Sequence, residues 1–182
     1  MTKLPVYLDR DGVINTNRSS YVRSPAEWVP IPGAVSAMAA LYRAGHPLVV
    51  VTNQSGIARG YYSARDVEEI HQVMRNALKA AGVDSIHIFY CPHHPREKCG
   101  CRKPETGMIQ QAKRELGLPP GGWIVGDAHS DMELGRRTGL KTILVLSGRG
   151  SSQLAMIKEE NLVLPDNVTD SLASALEIIL TP

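Results

Sequence analysis

No run of this 182-residue sequence approaches a membrane span, and no block of basic residues occurs anywhere in it. The first absence excludes a transmembrane helix, which needs about 20 consecutive apolar residues. The second, with a formal net charge of only +2, removes the electrostatic footprint of a nucleic-acid binder. Cysteine is scarce: there are three, all between Cys91 and Cys101. An odd, clustered set argues against a disulfide framework and for metal binding in a reducing compartment. The opening Met-Thr-Lys-Leu-Pro runs straight into an apolar stretch, so no signal peptide is expected. Internal repeats, low-complexity tracts and interdomain linkers are missing too. These absences predict a cytoplasmic protein, one domain over residues 1–182, monomeric and without nucleic-acid or membrane partners.

What is present is an alternation of strand and helix patterns. Val6-Tyr7-Leu8, Leu48–Val51, Ile86–Tyr90, Trp123–Val125 and Thr142–Leu146 read as buried strands, with Asn161–Leu164 as a sixth. Between them, apolar residues recur at helical spacing: Val35, Met38, Ala39 and Tyr42; Val67, Ile70, Met74 and Leu78; Met108, Ile109, Ala112 and Leu116. A short helix before Gly139 and a last stripe of Leu172, Leu176 and Ile179 complete the series. Ser63 and Asp66 form a capping-box pattern ahead of the second helix. Such alternation predicts an α/β fold, a doubly wound parallel sheet with helices on both faces.

The informative residues cluster after the strands. Val6-Tyr7-Leu8 ends in Asp9-Arg10-Asp11-Gly12, and ligands of open α/β sheets bind beyond the carboxyl ends of strands. Two acids there can divide labour: one attacks phosphorus or binds metal, the other moves a proton. Each alone could be a turn or a helix cap. Thr52-Asn53, Arg102-Lys103-Pro104 and Gly126-Asp127, with Asp131 four residues on, fall at comparable places. A doubly wound sheet brings all four segments to one crevice.

A second constellation is Cys91-Pro92-His93-His94-Pro95-Arg96-Glu97-Lys98-Cys99-Gly100-Cys101. It supplies four soft or borderline donors as two short chelating pairs, which suits a tetrahedral structural Zn²⁺. Cys91, Cys99 and Cys101 are three of the ligands, with His93 or His94 as the fourth. Arg96, Lys98 and Arg102 would offset the negative charge of three thiolates.

Asp9-x-Asp11-Gly, the apolar run into Thr52-Asn53, Lys103-Pro104 and Gly126-Asp127-x-x-x-Asp131 resemble the four motifs of haloacid dehalogenase-superfamily phosphohydrolases, over residues 5 to about 146. The resemblance implies Asp9 as nucleophile and Asp11 as the acid and base. It implies Mg²⁺ held by Asp9, Asp127 and the Asp11 carbonyl, and Thr52 with the Asn53 backbone on the phosphoryl oxygens. Lys103 would steady the transition state, and Asp131 would orient Lys103 or a metal-bound water. Both usual insertion points for a cap domain are too short for one, so the cap is minimal and the zinc-binding loop shapes the substrate rim.

Val49–Gly60, Cys91–Pro95 and Cys99–Pro104 further resemble the D-glycero-D-manno-heptose 1,7-bisphosphate phosphatase family. That likeness favours His93 as the fourth zinc ligand. It implies removal of the C7 phosphate during synthesis of nucleotide-activated heptose for lipopolysaccharide or other surface glycans. Arg59 and Arg102 are then candidates for the second phosphate. The segment between the zinc-ligand pairs is shorter than in some members, and Ala128 stands where some carry lysine. The rival reading in the same branch is a histidinol-phosphate phosphatase. A non-catalytic zinc-stabilised phosphosugar-binding protein is the alternative of another class.

Overall fold

The computed structural model describes residues 3–181. Its strands are β1 (Val6–Leu8), β2 (Leu48–Asn53), β3 (His87–Cys91), β4 (Trp123–Gly126), β5 (Lys141–Val145) and β6 (Asn167–Thr169). They form one parallel sheet in the order β3-β2-β1-β4-β5-β6. The helices are α1 (Ala34–Arg43), α2 (Ala64–Ala80), α3 (Gly107–Leu116), α4 (His129–Thr138), α5 (Gly150–Glu159) and α6 (Leu172–Leu180). This is the expected doubly wound α/β fold.

Strand alternation sorts the core into two layers. Leu8 lies level with Val50 on one side and Val125 on the other, so these three share a face. With Val6, Ile143 and Val145 they pack against Met38 and Leu41 of α1, Ile70 and Met74 of α2, and Leu172 and Ile179 of α6. Tyr7, Val49, Val51 and Ile124 face the other way, against Met108, Ile109 and Ala112 of α3 and Leu134 of α4. Each fully buried side chain of this size contributes about 1.5–3 kcal/mol as an upper figure. The Ser63–Asp66 capping box starts α2: the Asp66 N–H donates to Ser63 Oγ, and Asp66 accepts from the Ser63 N–H at 2.7 Å.

One expectation needs correction. Residues 161–164 are not the sixth strand. Asn161 has a left-handed φ of +51°, the Leu162 N–H closes α5 on the Ile157 carbonyl at 2.9 Å, and Leu164 is 65% exposed. The segment is a helix exit, and the edge strand comes at Asn167–Thr169. Helix α5 itself carries no strong stripe, opening on Gly150, Ser151 and Ser152, which are weak helix formers.

The topology places the site. From β1 the chain order runs outward in both directions, so the ends of β1 and β4 frame the switch crevice of the sheet. Asp9 follows the first strand and Asp127 the second. No described helix is long and apolar enough to cross a membrane.

Candidate active site

Asp9 is 5% exposed. Its Oδ1 accepts from the Arg10 backbone N–H at 2.7 Å and from Lys103 Nζ at 2.9 Å. Burial pushes its carboxyl up to about 7; Lys103 opposes that shift, and Asp131, Asp127 and Asp11 add to it. Gly12, with φ +89°, makes the turn that follows, and a Cβ there would run into the Asp127 carboxylate.

Asp11 has different company. Arg10 Nη2 reaches both its oxygens, at 3.0 and 2.9 Å, and Asn15 Nδ2 and Gln54 Nε2 donate at 2.9 and 3.0 Å. Burial works to raise its carboxyl, but the Arg10 guanidinium and these donors outweigh it and hold the group below the usual carboxylate value. Two acids one residue apart are thus driven in opposite directions by their surroundings.

Lys103 is buried; its ammonium pairs with Asp9 Oδ1 at 2.9 Å and with Asp131 Oδ1 at 2.7 Å, and donates to the Val51 carbonyl at 3.0 Å. Burial alone would lower its pKa; Asp131 and Asp9 more than reverse that, so it stays charged. The Asn53 side chain clamps the Lys103 peptide, accepting from its N–H at 3.1 Å and donating to its carbonyl at 3.3 Å. Asp131 pairs with Lys103, and its Oδ2 also accepts from the Ala128 N–H at 3.2 Å at the start of α4. Gly126 is required beside it, since a Cβ would meet the Asp131 carboxylate.

Asp127 is fully buried and is held by Arg149, whose Nη2 reaches Oδ1 and whose backbone N–H reaches Oδ2, both at 2.9 Å. Asp9, Asp127 and Asp131 each bring a carboxylate oxygen within 4.8 Å of the others. Four carboxylates, with Asp11, face three cations, Arg10, Lys103 and Arg149. A net negative, oxygen-lined cluster suits a hard cation such as Mg²⁺.

A cavity of about 230 Å³ opens here, lined by Asp9, Asp11, Thr52, Asn53, Arg102 and Lys103, all expected, and by Asn17, Tyr21, Ser55, Ser130 and Arg149. Arg59 is not brought to it. It is exposed on the turn after β2, its N–H bonded to the Ser55 carbonyl, so the structure does not bring this candidate together with the other site residues. Arg102 does line the cavity, and its Nη1 is buried with no hydrogen-bond partner. Arg10 and Arg149 were not legible as site residues. The first is hidden between two aspartates as one more charge, and the second sits 22 positions beyond its partner with no motif around it.

The cysteine loop leaves β3 at Cys91. Cys91 Sγ lies 3.5 Å from both His93 Nδ1 and Cys99 Sγ; Cys101 Sγ lies 3.2 Å from His93 Nδ1 and 3.6 Å from Cys99 Sγ. A tetrahedral zinc with bonds near 2.3 Å to sulfur has edges of roughly 3.8 Å, so the cluster is compatible with zinc and slightly contracted. His94 is engaged elsewhere: its Nδ1 accepts from the Arg96 N–H at 3.2 Å, capping the 3₁₀ turn Pro95–Glu97. His93, not His94, is the histidine grouped with the three thiols.

Comparison with known proteins agrees with this geometry. A family model described as Polynucleotide kinase 3 phosphatase matches residues 6–131, more than half of the chain, and one described as HAD-hydrolase-like matches residues 100–175. The D-glycero-beta-D-manno-heptose-1,7-bisphosphate 7-phosphatase of Pseudomonas putida is 44% identical over 162 residues, 87% of this chain and 92% of the relative. That of Pseudomonas aeruginosa is 40% identical over 177 residues, covering 97% and 99%. The crystal structure of the D,D-heptose 1,7-bisphosphate phosphatase from B. bronchiseptica, complexed with magnesium and phosphate, superposes with a TM-score of 0.89 at 38% identity, covering 98% of both chains. The chain therefore belongs to the heptose-1,7-bisphosphate 7-phosphatase family of haloacid dehalogenase-like hydrolases.

Proposed function

We propose that the protein hydrolyses the C7 phosphate ester of D-glycero-β-D-manno-heptose 1,7-bisphosphate through an aspartyl-phosphate on Asp9. The observation that carries this reading is the buried Asp9 carboxylate, gripped by Lys103 beside Asp127 in a cavity that also exposes Thr52 and Arg102. The β-anomer is favoured because the Pseudomonas relatives are named for it.

An Asp9 oxygen attacks phosphorus, and the bond between phosphorus and the C7 oxygen breaks. Asp11, once protonated, gives its proton to the departing alkoxide; as the carboxylate it then takes one from the water that attacks the phospho-aspartate. That second attack releases inorganic phosphate and restores Asp9. Thr52 Oγ1 and the Asn53 backbone donate to the phosphoryl oxygens, and Lys103 adds fixed positive charge to the transition state. Mg²⁺, held by Asp9, Asp127 and the Asp11 carbonyl, would offset the repulsion between an anionic nucleophile and an anionic ester. Zn²⁺ on Cys91, His93, Cys99 and Cys101 would be structural, fixing the loop that delivers Arg102 and Lys103. The unpartnered Arg102 Nη1 supports that arginine as a contact for the second phosphate. We further read the chain as a cytoplasmic, single-domain monomer, with a small phosphosugar as its ligand.

Phosphate release from the heptose 1,7-bisphosphate anomers, fructose 1,6-bisphosphate and histidinol phosphate tests the assignment. The β-heptose substrate should exceed histidinol phosphate in kcat/KM at least about a hundredfold, about 2.7 kcal/mol of discrimination. Equal or better turnover of histidinol phosphate would transfer the assignment to that substrate.

A further inference from the structure

Behind the cavity, one amide joins two groups of the proposed mechanism. Gln54 Nε2 donates to Asp11 Oδ2 at 3.0 Å and to Thr52 Oγ1 at 2.9 Å. Its Oε1 accepts from Tyr62 OH at 2.8 Å and from Arg10 Nη2 at 3.3 Å. Every donor and acceptor of the side chain is therefore engaged, in a residue that is 1% exposed.

The amide has only one workable orientation. Rotating it by half a turn would set its oxygen against the Asp11 carboxylate and its NH₂ against the Arg10 guanidinium. The surroundings are fixed as well. The Gln54 N–H bonds the Cys91 carbonyl at 2.8 Å, Tyr62 is buried, and Arg10 is wholly buried with Nη1 at 3.3 Å from His71 Nε2 on α2. A fully satisfied buried network of this kind holds its members in one arrangement.

We propose that Gln54 is a positioning residue that keeps the Asp11 carboxyl in register with the Thr52 hydroxyl, so that proton donor and phosphoryl-binding pocket are held as one unit. The inference rests on Asp11 being the proton donor to the leaving alkoxide. A sugar alkoxide is a poor leaving group and needs that proton; p-nitrophenolate leaves without it. Misplacing Asp11 should therefore harm the two substrates very differently, whereas a general loss of structure should harm both alike.

The test compares kcat/KM, which reports the steps up to phosphoryl transfer onto Asp9, for the heptose bisphosphate and for p-nitrophenyl phosphate, using the metal-loaded enzyme. Gln54→Leu removes all four bonds; Gln54→Glu keeps the shape but loses both donors. Each should lower kcat/KM for the sugar substrate by about 10- to 100-fold and for p-nitrophenyl phosphate by less than about threefold. Tyr62→Phe, which removes one outer bond, should show the same bias at about threefold on the sugar, and it decides the matter if both Gln54 variants fail to fold. Asp11→Asn is the reference and should show the largest bias. If Asp11→Asn is biased and the Gln54 and Tyr62 variants lose both substrates equally, the positioning role is overturned alone. If Asp11→Asn is itself unbiased, the proton-donor reading falls and takes this inference with it.

Discussion

The aspartate crevice and the cysteine loop both concentrate negative charge, but they are assembled in opposite ways. The crevice draws Asp9, Lys103, Asp127 and Asp131 from three distant segments of chain and buries each almost completely. Its geometry is a property of the whole sheet, because the ends of β1 and β4 bring those segments together. The loop takes its four donors from eleven consecutive positions, three of them only half-buried. Past Cys91 none of the loop's residues is buried, so its shape should depend on its ion, whereas the crevice should keep its shape and lose only chemistry when its ion is removed. The two meet at Cys101-Arg102-Lys103, where loop geometry becomes site geometry.

The sharpest way to break this comparison is to take the ions away separately. Exhaustive removal of Mg²⁺ should abolish phosphate release, and Mg²⁺ should restore it, with unchanged zinc content and little change in Tm. A large fall in Tm on losing Mg²⁺ alone would contradict the idea that the sheet, not the cation, builds the crevice. Replacement of Cys99 by Ser should act in reverse. Metal analysis should fall from about one zinc per chain to less, and Tm should drop, since structural zinc binding is also folding energy. Activity should fall by about tenfold, because Arg102 and Lys103 lose their anchor. Native protein free of zinc with all four donors intact would remove the loop's metal from the account.

How much of this was legible depended on whether a residue's partners lie in its own motif. Asp9, Asp11, Thr52 and Asp127 stand at strand ends and Lys103 just ahead of α3, places that this fold class brings to one edge of the sheet. The cysteine ligands stand close enough that spacing suffices. Arg149 shows the opposite case: a loop after β5 carries it to Asp127, and nothing near Gly148 or Gly150 announces it. Arg59, six residues past Asn53, stands on an exposed turn outside the cavity, because nearness in sequence to a motif does not by itself bring a residue into the site. Helix α5 was missed because serines and a glycine open it, and the residues after it were apolar without being buried. Spacing alone left His93 and His94 open, and the preference for His93 came from the family likeness; the contact of His94 with the Arg96 N–H is one that no spacing rule contains.

The smallest expected effect sharpens the contrast between crevice and surroundings. Burial first, then Arg10 and Arg75, push the His71 imidazole down to about 3. Its folded value lies below the unfolded value of about 6.5. The native state therefore keeps it neutral while the unfolded chain takes up a proton. Its contribution to stability is complete above about pH 6.5 and is lost as pH falls toward 3. The raised Asp9 carboxyl acts in the other sense, so the informative quantity is a difference between proteins. Denaturant unfolding of the native sequence should lose up to about 2 kcal/mol more than His71→Gln between pH 6.5 and 5. Parallel pH dependences would mean that His71 is not held neutral.

The central claim is that Asp9 carries the phosphoryl group. Rapid quenching with substrate labelled in the C7 phosphate, followed by peptide mapping, measures that directly. The label should appear on Asp9 within a turnover and vanish as phosphate is released, and a verified Asp9→Asn preparation, free of deamidation, should keep its fold and zinc but neither trap label nor turn over. Label on another residue, or substantial turnover by the Asp9→Asn protein, would contradict the account.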